Sequence, residues 1–323
     1  MAHVARIERT GGPDVIQWVE TDLPEPAEGE VRMRSTAVGL NYIDTYHRSG
    51  LYPVDLPMVL GVEGVGVVEA VGAGVTDLAA GDRVGAFLMP GAYATERNVK
   101  AQDLVRLPDN IDDETAAALL LKGCTAEFLI ERCARVEKGQ TVLVYAAAGG
   151  VGHILVGWLK AIGATVIGVV GSADKAEAAK DNGADHVIRH DLADIAKRVR
   201  EITDGAGVPV ILDGVGKATW NASLNSAARR GLIVSYGNAG GQVDGVNLGV
   251  LSQKGSLFVT RPTLFDYAAT PAEKQASVDR LFEMVESGAV SAEIGQKFAL
   301  SQAAEAHSAL EASDTSGATI LVP

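Results

Sequence analysis

One short stretch constrains this chain more than any other: Val142 to Gly152, reading Val-Leu-Val-Tyr-Ala-Ala-Ala-Gly-Gly-Val-Gly. Val142 to Ala146 are apolar or aromatic with β-branched members, the pattern of a strand buried on both faces. Ala147-x-Gly149-x-x-Gly152 comes next, and Val151, Ile154, Leu155, Trp158, Leu159 and Ile162 then recur at helical spacing. Strand, small-residue turn and helix together are the context of a dinucleotide-binding fingerprint. The physical reason is access. Without bulky side chains, backbone N–H groups can approach a pyrophosphate at the positive end of the helix. Ala147 stands where the usual pattern begins with Gly. The plainer reading is an ordinary strand-to-helix turn of an α/β protein; the flanks favour the fingerprint.

Beyond the fingerprint helix the chain alternates regularly. Strand Thr165 to Val170 leads to a helix opening at Ser172, an N-cap residue type, and closing at Gly183. Then come strand His186 to Ile188, helix Leu192 to Ile202, strand Val208 to Leu212, helix Lys217 to Ala228, and strands Leu232 to Tyr236 and Leu257 to Thr260. Repeated β-α-β at this spacing predicts a parallel sheet wound on both faces, with ligand at the carboxyl ends of its strands. A further helix, Ala272 to Ser287, and a short closing strand, Ala318 to Val322, end the chain.

The first third reads differently. Val4 to Ile7, Val15 to Val19 and Val31 to Val38 are short β-rich segments separated by Gly-Gly-Pro and by Leu23-Pro24-Glu25-Pro26. Gly61 to Val68 contains a G-x-G, yet no helix comes after it, so it reads as strand with bulges or close packing. Many short strands before Pro108 predict a small, barrel-like β domain. Asp112 to Arg135 reads as the helix leading into the fingerprint. The closing strand is expected to return to the β domain, making that domain discontinuous: 1–123 with 264–323, against 124–263 for the parallel-sheet domain.

Composition excludes several classes. At 323 residues the chain can form two cores. No apolar run is long enough to span a membrane, and the first residues lack a signal-peptide apolar region. Two cysteines, Cys124 and Cys133, make neither a CxxC pair nor a disulfide framework, which points to the cytoplasm. A net charge of −13 argues against nucleic acid as a main partner.

The order of β domain, doubly wound domain and C-terminal return resembles the medium-chain dehydrogenase/reductase superfamily. Within it, the chain is similar to the NADPH:quinone oxidoreductases, the zeta-crystallin family. The carriers are Asn41 to Tyr46 with Arg48 to Pro53, Gly139 to Lys160 around the glycine loop, Ser235 to Asn238, and Gln253 to Pro262. Gly157 departs from the family pattern, which usually has Gln there; this is expected to loosen one helix contact. The resemblance implies a GroES-like β-rich catalytic domain plus a Rossmann domain. It also implies NADPH in a cleft between domains, near Asn41, Tyr46 and Thr125, with Gly149, Gly150, Val151, Tyr236, Gly237, Asn238 and Arg261 beside the cofactor. Asn41, Tyr46 and Tyr52 are the substrate-pocket candidates. The implied substrate is a small quinone, with an α,β-unsaturated carbonyl as the close rival. A binding protein with little turnover, of the crystallin or RNA-binding kind, is the alternative from another class; the acidic balance weighs against RNA. Zinc alcohol dehydrogenases of the superfamily carry a Cys and a Gly-His-Glu motif where this chain has Leu40-Asn41 and Gly61-Val62-Glu63. His47 and Glu63 alone do not complete a tetrahedral site, so no metal is expected.

Other polar residues have bland readings. Asp44 and Glu63 are read as turn or salt-bridge carboxylates ahead of general acids. His153 reads as a helix-surface residue, and the two cysteines as packing. NADPH over NADH is expected because Val169-Val170 runs into Gly171-Ser172, without the carboxylate that accepts from a ribose 2′-OH about 20 residues beyond the glycines. Ser172 and Lys175 are placed to meet a 2′-phosphate. His190 stands where the family usually has Tyr. A homodimer is expected through Leu257 to Thr260, an apolar segment at the open edge of the sheet.

Overall fold

The computed structural model describes residues 1–312 and 315–323. They divide into two compact units: Met1–Lys122 with Thr270–Val278 and Ala292–Pro323, and Gly123–Ala269 with Asp279–Ser291.

The second unit is built on a six-stranded parallel sheet. From edge to edge its strands are His186–Arg189, Thr165–Val170, Thr141–Tyr145, Val208–Asp213, Ala227–Ser235 and Phe258–Thr260. Three of its interior strands, Thr165–Val170, Thr141–Tyr145 and Val208–Asp213, are nearly continuous buried apolar runs, as expected where helices cover both faces. Leu143, Tyr145, Ile167, Val169, Ile211 and Ile233 form its core. Strand order reverses on either side of Thr141–Tyr145, which creates a crevice at the carboxyl edge.

Two of the crossover helices are shorter than expected. The helix after His186–Arg189 begins only at Ile195, because the Asp194 side chain caps it by accepting from the Lys197 N–H at 2.7 Å. The expected helix Lys217 to Ala228 is shortened to Trp220–Ser226, since the neighbouring strand already starts at Ala227. Gly157 also has a reason. A Cβ there would sit 2.7 Å from the Ala289 carbonyl oxygen, so glycine permits a close approach rather than loosening a contact.

The first unit holds two sheets. Ala2–Ile7 lies between Gln17–Thr21 and Met58–Val59. The larger sheet runs Ile294–Ala299, Ala318–Val322, Glu30–Leu40, Glu63–Val71, Arg83–Phe87, Leu104–Arg106, with Glu96–Lys100 also paired to Glu30–Leu40. The segment around Gly64 and Gly66 is strand with irregular register, and a Cβ on Gly66 would lie 2.1 Å from the Arg34 carbonyl oxygen. Closing strand Ala318–Val322 pairs antiparallel with Val38 to Leu40.

The division of the C-terminal region is finer than a cut at residue 264. The second unit keeps the chain to Ala269 and also takes Asp279–Ser291. Arg280 donates to both oxygens of Glu131, and Leu281 lies where a Cβ on Gly123 would fall. Helix Pro271–Glu286 is therefore shared between the units.

Candidate active site

At the fingerprint the backbone turns sharply. Ala146 adopts φ 50°, and Gly149 is the N-cap of helix Gly150–Ala161. The Ala147 N–H donates to the Val169 carbonyl at 3.1 Å, which ties the loop to the neighbouring strand. A Cβ on Gly152 would lie 2.0 Å from the Ala146 carbonyl oxygen. Only glycine lets the first helical turn close onto the strand end, and that closure leaves the N–H groups of Gly150 and Val151 in the first helical turn, without intrahelical partners of their own.

The other nucleotide candidates of this unit gather along the same sheet edge. Tyr145 is in register with Val169, Val170 with Arg189, Asp213 with Ser235, and Val234 with Thr260. Gly171, Ser172, His190, Tyr236, Gly237, Asn238 and Arg261 each come just after one of these strand ends. Arg261 donates from its guanidinium to the Ser235 carbonyl at 2.7 Å, which fixes its stem beside Tyr236. Gly237 is required sterically, since a Cβ there would lie 2.2 Å from the Gly214 carbonyl oxygen. Thr125, half-buried, lies in the last turn of helix Asp113–Glu127, the part of that helix that falls in this unit.

Ser172 is the N-cap of helix Ala173–Asp181, its hydroxyl accepting from the Lys175 N–H at 3.4 Å. His190 is exposed and packs against Gly171, its Nε2 lying 2.9 Å from where a Cβ would be. Lys175 is half-buried and Asp174 exposed. The three cationic or donor groups thus share one rim, the ends of two adjacent strands.

The structure also shows a residue the pattern did not single out. Asp213, at the end of its strand and buried, takes N–H bonds from Val215 at 2.9 Å and Gly216 at 3.0 Å, and hydroxyl bonds from Thr219 and Ser223. It shapes the turn bordering the crevice. Its sequence signal is a carboxylate at the end of an apolar run that leads into Gly-Val-Gly.

The pocket candidates belong to the first unit. Asn41 is the N-cap of helix Tyr42–Ser49, which carries Tyr46 on its inner side. Tyr46 and Tyr52 are packed edge to face with centroids 5.2 Å apart, and the Tyr52 N–H donates to the Tyr46 carbonyl at 3.1 Å. Beside them, His47 is pushed below its ordinary range by burial.

Asn41 is held from two sides. Its Nδ2 donates to the Glu63 carboxylate at 2.8 Å, and its N–H to Asp44 Oδ2 at 2.9 Å. Glu63, wholly buried, also accepts the Leu121 N–H at 2.6 Å and faces the buried Lys122 ammonium at 3.5 Å. The carboxylate is therefore taken up by an amide, a backbone N–H and an ammonium. Among the described residues, no three His, Cys, Asp or Glu side chains are grouped to hold a metal ion. Lys122 carries no sequence signal of this role, because its partner is 59 positions away.

Two family models match: the alcohol dehydrogenase GroES-like domain over residues 27–109 and the zinc-binding dehydrogenase domain over residues 150–264. The chain is 50% identical to a quinone oxidoreductase of Pseudomonas aeruginosa, with both chains covered in full. It is 42% identical to a 2-haloacrylate reductase of a Burkholderia species, over all of this chain and 99% of that one. The crystal structure of Escherichia coli quinone oxidoreductase complexed with NADPH superposes over 100% of both chains with a TM-score of 0.97 at 44% identity.

Proposed function

As a chain that belongs to the quinone oxidoreductase family of medium-chain dehydrogenases and reductases, this oxidoreductase, we propose, binds NADPH and uses it to reduce a small quinone without a metal. The observation that carries the reading is the glycine-closed turn at Gly149–Gly152, facing the same sheet edge as Ser172, Lys175 and His190. NADPH would supply the hydride. The chain's own part would be positioning: the N–H groups of Gly150 and Val151 for the pyrophosphate, Arg261 and Tyr236 to Asn238 for the rest of the dinucleotide, and Thr125, Asn41, Tyr46 and Tyr52 toward the reacting end. A quinone delocalises incoming charge, so it requires less electrophilic help than an alcohol-forming carbonyl. Support for a metal-independent site is the engagement of Glu63 by Asn41, Leu121 and Lys122.

A second reading is reduction of an activated alkene, favoured by the likeness to 2-haloacrylate reductase over nearly the whole length. Following NADPH absorbance with a quinone, a conjugated enone and no acceptor decides between them. Turnover with the quinone that survives a chelator is the expected result; turnover only with the enone selects the second reading, and zinc-dependent turnover overturns the metal-free one.

For the phosphate rim, Lys175→Ala is expected to weaken NADPH about tenfold and leave NADH nearly unchanged, since one compact charge–phosphate contact contributes roughly 1.4 kcal/mol. Dissociation constants for both cofactors check it. An unchanged ratio means that this rim does not read the phosphate. The apolar edge strand Phe258–Thr260 supports a homodimer, and two free thiols suit the cytoplasm.

A further inference from the structure

Behind the pocket helix runs a line of buried polar side chains that the reaction as proposed does not use. Arg48, 2% exposed, gives its two terminal nitrogens to Glu311 at 2.9 and 2.7 Å, and its Nε to the Gly11 carbonyl at 3.1 Å. Its NH1 also lies 3.4 Å from His307 Nδ1. A guanidinium can only donate, so Nδ1 is the acceptor and the imidazole proton sits on Nε2. Nε2 is 3.1 Å from the Tyr93 hydroxyl, which in turn lies 3.0 Å from Asp44 Oδ2. With His307 donating to it, Tyr93 has its own proton free for Asp44. Every donor in the line therefore points one way, from a guanidinium to a carboxylate. The Tyr93 ring packs directly against the Gly61 backbone, where a Cβ would fall 2.1 Å from it.

Resting on the pocket reading above, we propose that Tyr93 and His307 are positioning residues: they hold Asp44 as a carboxylate, and through it the Asn41 backbone from which the pocket helix starts. Asp44 Oδ2 takes both the Tyr93 hydroxyl and the Asn41 N–H, while Oδ1 is buried without a hydrogen-bond partner among the described residues. A buried carboxylate supported on one oxygen is easily neutralised. Burial raises Asp44 to about 7, against the lowering by the Asn41 N–H, the Tyr93 hydroxyl and Lys122, with Glu63 adding a further upward push. Arg48 acts on it only through His307 and Tyr93. His307 itself is held down to about 3 by burial and by Arg48, so it stays a neutral relay. Once protonated, Asp44 accepts the Asn41 N–H more weakly, and the N-cap loosens.

The test uses the full-length enzyme with NADPH and a quinone. Wild-type kcat/KM should fall on the acid side with a midpoint near 7, the value at which Asp44 titrates. Tyr93→Phe removes one donor from the carboxylate and should move that midpoint up by about one pH unit, with KM for quinone raised and the NADPH dissociation constant unchanged. His307→Gln keeps an uncharged donor and acceptor and should shift it less than His307→Leu. Asp44→Asn cannot ionise and should flatten the acid limb. Thermal unfolding identifies any variant that fails to fold. If Asn41→Ala cripples quinone turnover while the limb is the same in wild type, Tyr93→Phe and Asp44→Asn, the proposal is overturned. If Asn41→Ala turns over quinone normally, the pocket reading itself fails.

Discussion

Asp44 and His307 sit two hydrogen bonds apart in one buried line, and burial moves them in opposite directions along the pH scale. Asp44 is raised from 3.8 to about 7, so the folded state holds a proton that the unfolded chain has lost. Its contribution favours folding at low pH and is lost as pH rises through that window. His307 is lowered from 6.5 to about 3, so below 6.5 the unfolded chain takes a proton the folded one refuses. That contribution is present at neutral pH and is lost as pH falls. Over the shared window the two slopes cancel, one proton against one. His307→Gln should therefore gain stability relative to wild type as pH falls below 6.5, and Asp44→Asn should gain as pH rises from about 4 to 7. Melting temperatures of the three proteins across pH 4 to 8 check this; parallel curves would contradict it. None of this line was legible in the sequence. Asp44 read as a turn carboxylate because its partner Tyr93 is 49 positions away, and Arg48 finds Glu311 only after 263.

Elements were legible where their signal is local. The fingerprint strand, turn and helix could be read because the apolar period changes within a dozen residues and the small residues mark the turn between. The same holds for Thr165–Val170 with its Ser172-capped helix. Strand Ile294–Ala299 was missed, since its inward residues only half-bury and its partner, Ala318–Val322, lies beyond an intervening helix, Ala303–Glu311. The glycine at 157 could not be understood before the Ala289 carbonyl was in place. Edge strand Phe258–Thr260 shows its character outright, with Phe258 61% exposed at the end of the sheet. An apolar ring on an open edge is stabilised by pairing with a second copy. Phe258→Lys is expected to raise the dimer dissociation constant at least tenfold, read by light scattering on a sizing column, with turnover per protomer retained. A wild-type protein that elutes as a monomer at micromolar concentration would refute the dimer.

At the scale of the molecule, the two units were legible as a β-rich and an alternating region, but the ownership of the C-terminal third was not, because it depends on contacts such as Arg280 with Glu131. Strand Ala318–Val322 lies between Ile294–Ala299 and Glu30–Leu40 in the larger sheet of the first unit. Removing residues 318–323 should open that sheet while leaving every strand of the six-stranded sheet present. Limited proteolysis of such a truncation is expected to degrade the first unit and spare a fragment from near Gly123 to near Ser291; uniform digestion of both would show that the units do not unfold separately. The same placement matters on the ribosome. Val38 to Leu40 emerge early, yet the strand they pair with, Thr319 to Leu321, is made only after the long intervening stretch of chain. At 5–20 residues per second, that bare edge waits on the order of tens of seconds. Throughout that interval the nascent β sheet offers its backbone to any neighbouring chain, so this protein's yield in the cell should depend on the holding chaperones that meet it at the exit tunnel.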